Sequence, residues 1–480
     1  MKSLPLLKRV AFFSGPVFFL LCYNWPGLFP DPLAQKVVAV AIWMVVWWLT
    51  EIISISTTAL LPIVLFPLLN ILPLRDVCAN YGSPIVFLFF GGFVMALALE
   101  KVNLHRRIAL NIIKLTGTSP DRVILGFMIS TALLSMWISN TASTVVMLPI
   151  ALSVIRLIAN DEDGMTLQDR NFALAIMLGI AFSANIGGVA TLIGTPPNSV
   201  LAGFLENEYQ IEISFFKWMQ MGLPFSILML FVCYFVIVKW MVRSKSPHLS
   251  NASELIKQEI IKLGPTRKDE KFVMAVFGMA ILLWVFKNPL NHLTENFNLS
   301  DAGISMLAAF SLFIIPSDNS RDNFILVWND MVKLPWGILI LFGGGLALAS
   351  GLASAGIMDL IGSAVSSGTH INLLLVSAFL ILIMLFMTEL MSNVALVAVF
   401  IPVVAGIALG LDSSILHICI PVTMAASCAF MLPMATPPNA IVFASGHVKV
   451  YQMAKVGIVL NLLSVLLLIV FTKFVIPLIF

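Results

Sequence analysis

The chain carries two short polar motifs, Ser139-Asn140-Thr141 and Thr195-Pro196-Pro197-Asn198. The first returns 253 residues later as Ser392-Asn393-Val394, and the second returns 241 residues later as Thr436-Pro437-Pro438-Asn439. Proline has no N–H to donate and interrupts a regular helix, so helices are expected to break at the second motif. Duplicated in the same order between apolar stretches, the motifs predict a binding site made from broken membrane helices.

The composition is that of a membrane protein. Of the 480 residues, 60% are hydrophobic and only 11% are charged, and the mean hydropathy is +1.01. Soluble domains carry about 25% charged residues. Apolar segments of about 20 residues recur along the chain, which predicts an all-α polytopic membrane protein. The five cysteines are scattered without a CxxC pair, which favours buried thiols over disulfides or a metal site.

Hydropathy predicts the spans of the first half near 9–24, 36–53, 55–74, 83–100 and 215–242. An amphipathic helix over 101–116 is expected to lie in the interface. Two short arms over 121–157 meet at the Ser139 motif, and a long helix over 171–205 is broken at 191–198. The arms are two thin spans or one re-entrant hairpin. Non-helical backbone at membrane depth needs protein or water around it, which favours the hairpin.

The second half repeats this order. The corresponding segments lie near 271–287, 300–316 and 334–352, followed by a hairpin-like pair at 371–410, a broken helix at 414–445 and a final helix at 452–479. With two re-entrant pairs and a cytoplasmic N-terminus, 22 of the 27 Lys and Arg residues fall on the cytoplasmic side. The C-terminus is then on the opposite side, and the two hairpins enter from opposite faces. Two ordinary two-span hairpins give the same parity, so charge supports the orientation without proving re-entrance.

The motifs offer groups for both an anion and a cation. Ser, Thr and Asn supply hydroxyls and amides, and helix N-termini attract negative charge. Backbone carbonyls freed at the breaks suit Na⁺. No Lys, Arg or His lies within or beside the motifs, so a multivalent anion needs compensating charge that co-bound Na⁺ can supply. One such motif alone is more often a helix-packing hydrogen bond, and the duplication is what favours one anion site flanked by two cation sites.

Glu51 and Glu389 are carboxylates in apolar segments, where a charge is costly. For Glu51, the end of a cytoplasmic helix is slightly favoured over an ion-binding role. For Glu389, a structural hydrogen bond to the hairpin and a ligand role are equally supported. No metal-spaced histidine cluster, P-loop, HExxH or nucleophile elbow is present in an interpretable context, so the chain is not expected to be an enzyme. A channel is less favoured, because the polar residues cluster at two tips rather than along a pore.

Two segments resemble the divalent anion/sodium symporter family, which includes sodium-coupled dicarboxylate, citrate and sulfate carriers. The early segment runs from Trp48-Leu49-Thr50-Glu51-Ile52 through Thr58-Ala59-Leu60-Leu61-Pro62. The more specific match is similar to the family's C-terminal signature and reads Ser427-Cys428-Ala429-Phe430-Met431-Leu432-Pro433-Met434-Ala435-Thr436-Pro437-Pro438-Asn439-Ala440-Ile441-Val442. The resemblance covers essentially the whole chain.

The resemblance implies an inverted-repeat transporter with about eleven transmembrane helices and two re-entrant helical hairpins. It also implies a homodimer formed through a scaffold domain, and an elevator-like movement of a transport domain. The implied divisions are scaffold helices and interfacial helix of repeat 1 (1–120), transport-domain hairpin and broken helix (121–214), a connecting helix (215–242), a cytoplasmic linker (243–270), scaffold helices of repeat 2 (271–369), the second transport-domain hairpin and broken helix (370–446) and the final helix (447–480).

Carried over by position, the resemblance assigns the first Na⁺ site to Ser135, Ser139, Asn140 and Gly194. It assigns the second to Thr388, Met391, Asn393 and Ala435, with Met391 and Ala435 acting through their carbonyls. The implied substrate site comprises Ser139, Asn140, Thr141, Thr195, Ser392, Asn393, Val394 and Thr436. One position departs from the family pattern: Val394 stands where Thr is common, which removes a hydroxyl from the substrate side at nearly the same shape.

Together these features predict Na⁺-coupled symport of a C4-dicarboxylate such as succinate, malate or fumarate across the plasma (inner) membrane. Na⁺ is the expected coupling ion, and neither an organic cofactor nor a nucleic-acid partner is expected. The alternatives are a dicarboxylate or anion exchanger, and a citrate or sulfate carrier of the same fold.

Overall fold

The computed structural model describes residues 6–117, 119–158, 165–241, 252–293, 298–318, 323–366 and 372–480. Over these ranges the chain is helical, and the strand-type pairing found there is one isolated bridge between Pro316 and Phe324. The predicted all-α class is therefore confirmed.

The first half forms a series of helices that ends in a π-helical turn, Phe235–Met241. In chain order they are α1 (Leu6–Tyr23), α2 (Pro32–Thr50), α3 (Ile55–Thr58), α4 (Leu61–Leu68), α5 (Leu74–Tyr81), α6 (Pro84–Lys101), α7 (Leu104–Thr116), α8 (Pro120–Ser135), α9 (Asn140–Ile158), α10 (Leu167–Val189), α11 (Pro196–Tyr209) and α12 (Phe215–Tyr234).

The second half includes a short 3₁₀ helix, Trp328–Lys333. Its α-helices are α13 (Ala252–Lys262), α14 (Lys268–Leu293), α15 (Asp301–Ile314), α16 (Trp336–Ser354), α17 (Ile357–Ser366), α18 (Leu373–Thr388), α19 (Asn393–Gly410), α20 (Ile415–Ala426), α21 (Pro437–Ala444), α22 (Val450–Phe474) and α23 (Ile476–Ile479). The series α6 to α11 thus recurs as α16 to α21.

Eight helical segments among the described residues are long and apolar enough to cross a membrane. They are Pro32–Thr50, Leu74–Lys101, Leu167–Val189, Phe215–Trp240, Lys268–Leu293, Trp336–Ser354, Asn393–Gly410 and Val450–Ile479. Shorter apolar helices such as α15, α18 and α20 accompany them. The count of about eleven spans, which relies on the shorter helices, stays a prediction.

Four features differ from the sequence expectation. The predicted span 55–74 is divided into α3 and α4, because Pro62 has no N–H for the helix to use. The polar linker contains α13, which packs on α7 and places Glu259 2.5 Å from Arg106. Helix α17 was not predicted, although it follows α16 as α7 follows α6. All five cysteines are free, and Cys78 on the short helix α5 is exposed rather than buried.

The helix pairs α8–α9 and α18–α19 turn at residues 136–139 and 389–392. Helices α10 and α11 are separated at 190–195, and α20 and α21 at 427–436. Both α11 and α21 begin with two prolines, whose fixed φ suits the first turn of a helix. The breaks therefore fall at the duplicated motifs.

The two repeats interlock at these breaks. Helix α9 of the first pair packs on α21 of the second repeat, and α11 of the first repeat packs on α19 of the second pair. Helix α10 also contacts α21. Because each pair packs against the other repeat's broken helix, both polar turns are brought to one place.

Candidate functional site

A cavity of about 720 Å³ lies between the two turns. All eight side chains assigned to a substrate site by resemblance line it: Ser139, Asn140, Thr141, Thr195, Ser392, Asn393, Val394 and Thr436. Gly194, Met391 and Ala435, expected at the cation sites, also line it. The structure therefore brings together residues as distant in the sequence as Ser139 and Thr436, which are 297 positions apart.

Four helices begin at this cavity. Asn140 starts α9, Asn393 starts α19, and Pro196 and Pro437 start α11 and α21. At the starts of α9 and α19 the first N–H groups have no partner within the helix and carry the positive end of its dipole. At the starts of α11 and α21 the two prolines have no N–H, so these helices contribute their dipoles alone. Of the described residues that line the cavity, none is Lys, Arg or His. The positive potential available to an anion there comes from backbone groups.

Glu51 is the charged side chain on the described lining of this cavity. It follows α2 as an exposed cap residue in the left-handed region, with φ of 45°. Glu51 thus lies at a helix end, and that helix end faces the cavity. A carboxylate at this place opposes an anion and favours a cation.

The first oxygen cluster lies behind the first turn. The hydroxyl of the buried Ser135 is 2.6 Å from Asn140 Oδ1 and 2.7 Å from the carbonyl oxygen of Ala184. A hydroxyl has one hydrogen, so it can donate to only one of the two acceptors at a time. Three oxygens that share one hydrogen form an arrangement that a small cation can complete.

The second repeat contains the same cluster. The hydroxyl of the buried Thr388 is 2.6 Å from Asn393 Oδ1 and 2.8 Å from the carbonyl oxygen of Ala426. The two clusters differ by one methyl group and by at most 0.1 Å in these distances. The carbonyls of Ala184 and Ala426 were not among the predicted ligands, because any residue type carries a carbonyl and the sequence gives no signal for it.

Close backbone approach places Asn140 at the first break. A Cβ atom on Gly188 would lie 2.5 Å from Asn140 Oδ1, and one on Gly194 would lie 2.5 Å from the carbonyl oxygen of Gly188. Glycine is required at both positions for these groups to meet. Ser139 faces the cavity, and its hydroxyl accepts a hydrogen bond of 3.2 Å from the N–H of Ala142.

Two buried asparagines bridge the breaks. The Asn198 amide donates to the carbonyls of Thr191 at 2.8 Å and Gly188 at 3.3 Å. The Asn439 amide donates to the carbonyls of Leu432 at 3.1 Å and Ala429 at 3.2 Å. These asparagines end the two Thr-Pro-Pro-Asn motifs, and they satisfy carbonyls that the missing helical turns leave without partners.

Asn185 joins the repeats directly. Its amide on α10 donates to Thr436 Oγ1 at 3.1 Å and to the Ala429 carbonyl at 3.4 Å. Asn185 follows Ala184, whose carbonyl belongs to the first oxygen cluster. The first cluster and the break of the second repeat are therefore attached to adjacent residues of one helix.

Glu389 braces the second turn. Its Oε1 accepts the N–H groups of Phe430 and Met431, both at 2.9 Å, and its Oε2 accepts that of Leu432 at 3.0 Å. The amide of the buried Asn461 adds a fourth bond of 2.7 Å to Oε1. Glu389 is buried and does not line the cavity. Of the two roles left open by the sequence, the structure supports the structural hydrogen bond.

In the first repeat, neutral groups join the turn to the broken helix. Met136 occupies the position that corresponds to Glu389, and its carbonyl accepts the Thr191 hydroxyl at 2.6 Å. That hydroxyl in turn accepts the N–H of Gly194 at 3.0 Å. The break of the first repeat is shorter, so a single hydroxyl reaches across it.

Comparison with known proteins identifies the family of this chain. Residues 7–480 match the sodium:sulfate symporter transmembrane region. The chain belongs to the sodium:sulfate symporter family. As a member of this family it is a membrane transport protein and not an enzyme.

Relatives and solved structures extend the comparison of this symporter-family chain. The sodium-dependent dicarboxylate transporters SdcS of Staphylococcus saprophyticus and Staphylococcus aureus (strain USA300) are each 39% identical to it. The alignments cover 99% and 98% of this chain and 93% and 92% of those proteins. The fold is similar to that of the YdaH transporter of Alcanivorax borkumensis, with a TM-score of 0.56 over 84% of this chain and 89% of that one. It is also similar to that of MtrF of Neisseria gonorrhoeae, with a TM-score of 0.59 over 97% of each chain. Both proteins are 13% identical to this chain in sequence.

We expect Glu389→Gln to lower the melting temperature of the purified protein. Glutamine keeps the shape but places an NH₂ group opposite backbone N–H groups, and the lost charge-assisted bonds are worth about 2 kcal/mol. Glu51→Gln is the matched control, because Glu51 is exposed and should leave the melting temperature unchanged. Equal melting temperatures for wild type and Glu389→Gln would show that the four bonds do not stabilise the second turn.

Proposed function

We propose that this protein is a Na⁺-coupled symporter of C4-dicarboxylates such as succinate, malate or fumarate. The observation that carries the proposal is one cavity at which four helix N-termini and two matching oxygen clusters meet. The names of the relatives, sodium-dependent dicarboxylate transporters at 39% identity, support both the ion and the substrate class.

The substrate carboxylates bind at the two turns. Free N–H groups at the starts of α9 and α19 face the anion, and the hydroxyls and amides of Ser139, Asn140, Ser392 and Asn393 orient it. Thr141, Thr195 and Thr436 add hydroxyls around it, and Val394 supplies an apolar surface. A dicarboxylate spans the two repeats because one carboxylate reaches each turn.

Each oxygen cluster forms part of one Na⁺ site. The first uses Ser135, Ser139, Asn140 and Gly194, with the Ala184 carbonyl 2.7 Å from the Ser135 hydroxyl in support. The second uses Thr388, Met391, Asn393 and Ala435, with the Ala426 carbonyl at 2.8 Å from the Thr388 hydroxyl. Unwound carbonyls and amide oxygens of broken membrane helices are suitable ligands for Na⁺.

Coupling follows from charge. A dianion in a cavity whose described lining has no cationic side chain, and which Glu51 also faces, requires positive charge close by. Na⁺ on Asn140 and Asn393 provides it next to the anion-binding turns, because each asparagine serves both sites. Anion and Na⁺ therefore stabilise each other's binding, as thermodynamic linkage requires.

The movement we propose is an elevator in which residues 121–214 and 370–446 slide as one unit against 1–120 and 271–369. Polar contacts at the end of α11 support a separable boundary between the two. The Asn207 amide donates to Asn80 Oδ1 at 3.2 Å, and the Ser350 hydroxyl donates to Glu208 at 2.5 Å. Such contacts exchange with water more readily than a packed apolar surface does.

We also propose a cytoplasmic N-terminus, an external C-terminus, a plasma membrane location and a homodimer formed through 1–120 and 271–369. The excess of Lys and Arg on the proposed cytoplasmic side supports the orientation. The similarity to the symporter family supports the dimer.

Proteoliposomes that contain the full chain should accumulate labelled succinate when Na⁺ is applied outside. The same vesicles with external K⁺ should not accumulate it, because K⁺ is the larger ion and needs longer contacts to oxygen than Na⁺ does. Equal uptake in Na⁺ and K⁺ would falsify Na⁺ coupling, and uptake that requires internal dicarboxylate but no Na⁺ would identify an exchanger.

Asn140→Ala and Asn393→Ala should each abolish that uptake, because each removes an oxygen shared by one Na⁺ and the substrate. Asn111→Ala is the matched control, since Asn111 is exposed on α7 and its amide donates to a carbonyl of its own helix. Normal transport by either cavity variant would place the binding site elsewhere.

Val394→Thr should lower the KM for succinate by about tenfold without changing the Na⁺ requirement. The new hydroxyl adds a donor beside a carboxylate, a bond worth about 1.5 kcal/mol. Val399→Thr, on the same helix but outside the cavity lining, should leave KM unchanged. If Val394→Thr alters no KM among succinate, citrate and sulfate, position 394 does not contact the substrate.

Cross-linking tests the elevator. In a background without native cysteines, Asn80→Cys with Asn207→Cys should lose transport when a short bifunctional thiol reagent joins them, because the bond spans the proposed boundary. Asn80→Cys with Ser350→Cys joins two neighbours inside the static unit, whose side chains are 3.3 Å apart, and should remain active. Full transport by the first pair after complete cross-linking would rule out movement of α11 past α5.

A further inference from the structure

A second cavity, of about 240 Å³, lies away from the polar site between α7, the end of α8 and α14. The residues that line it are all apolar, and include Leu104, Leu133, Trp137, Phe277 and Gly278. The Trp137 and Phe277 rings meet edge to face with centroids 5.2 Å apart. We call this cavity the α14 groove.

The α14 groove opens on the outside of the helix bundle. Leu133 and Met274, which line it, keep 39% and 49% of their surfaces exposed. A Cβ atom added to Gly278 would meet nothing within 4 Å, so the groove has free space beside α14. In a membrane-spanning protein an open apolar groove faces hydrocarbon.

Cationic residues stand at one end of the groove. Arg267, Lys271, Met274 and Gly278 follow one another at spacings of four, three and four residues, which places them along one face of α14 and the residues just before it. Lys271 is exposed, and half of the Arg267 side chain is exposed although it donates to the Val102 carbonyl at 3.0 Å.

The local charge balance is positive. Two acids lie in this stretch, and both are buried. Asp269 accepts hydrogen bonds from the Ser317 hydroxyl and the N–H of Asp318, and Glu270 lies 2.5 Å from Arg107 and 3.4 Å from Arg267. One buried carboxylate thus faces Arg107 and Arg267 together, and Lys271 adds a further charge at the mouth of the groove. An anionic group is the complement of this end.

The groove and the turn of α14 that precedes it together match the depth of one leaflet. From Lys271 to Ile281, the last lining residue on α14, the helix advances about 15 Å at about 1.5 Å per residue. That is half of a hydrocarbon core of about 30 Å. An acyl chain with its headgroup at Lys271 would end near the midplane, beside the first polar turn.

We propose that the α14 groove binds an anionic phospholipid, with one acyl chain along Met274, Phe277 and Gly278 and the phosphate at Lys271 and Arg267. The site is independent of the polar cavity and requires neither Na⁺ nor dicarboxylate. It borders both α8 and α14, so the lipid contacts a hairpin helix and a neighbouring span at once.

The test is the melting temperature of the full chain in detergent, titrated with phosphatidylglycerol or phosphatidylcholine without Na⁺ or dicarboxylate. Phosphatidylglycerol should raise the melting temperature more than phosphatidylcholine does. Gly278→Leu fills the groove and should remove the difference, whereas Ala275→Leu, exposed on the same helix outside the groove, should retain it. Lys271→Gln should weaken the apparent affinity for phosphatidylglycerol about fivefold, and the exposed Lys114 of α7 offers a matched control in Lys114→Gln.

Equal shifts with the two lipids in the wild type would overturn the proposal. So would a Gly278→Leu variant that keeps the full phosphatidylglycerol effect. If Gly278→Leu instead changes the oligomeric state while the lipid effect persists, a second copy of the chain covers the groove and the lipid assignment is wrong. Because no transported ion or substrate is present, these outcomes do not depend on whether the protein is a symporter.

Discussion

The structure depends on backbone groups that four interrupted helices leave without partners deep inside an apolar protein. An uncompensated N–H or C=O is costly at membrane depth, so each interruption must be closed by specific side chains. Asn198 and Asn439 bridge the two breaks. At the two turns, the hydroxyls of Ser135 and Thr388 lie against carbonyls of the neighbouring helix. The first N–H groups of α9 and α19 face a single cavity. These N–H groups are thus available to a ligand because the other backbone groups at the interruptions already have partners.

The two repeats meet this requirement by different means. Glu389 inserts a carboxylate beneath three consecutive N–H groups, whereas the first repeat uses the hydroxyl of Thr191 and the carbonyl of Met136. The difference follows the length of the interruption, because residues 427–436 expose more N–H groups than residues 190–195 do. Equivalent oxygen clusters are therefore held by unequal supports. The two repeats therefore match in their oxygen clusters and differ in the hydrogen bonds that support them.

Helices, turns and breaks that are marked by distinctive side chains could be predicted from the sequence. Apolar segments identified most helices, and the duplicated motifs identified the turns and breaks because Asn, Thr and Pro are conspicuous among apolar residues. Helix α17 was missed, since Ile357–Ser366 has no basic residue of the kind that marked α7. The Ala184 and Ala426 carbonyls could not be predicted, because a main-chain carbonyl leaves no trace in residue identity. The role of Glu389 stayed open for a related reason: its partners are N–H groups some forty residues away.

The source of positive potential in the cavity has a consequence for its response to acid. Peptide dipoles do not titrate, whereas a Lys or His ligand would gain or lose its charge with the surroundings. At the four helix starts, the attraction for an anion is therefore built into the main chain and stays constant as the medium is acidified. A ligand that gains or loses a proton there does so without any change in the charge of the groups that start these helices. The contribution of the helix starts to anion binding is therefore the same in acidic and in neutral surroundings.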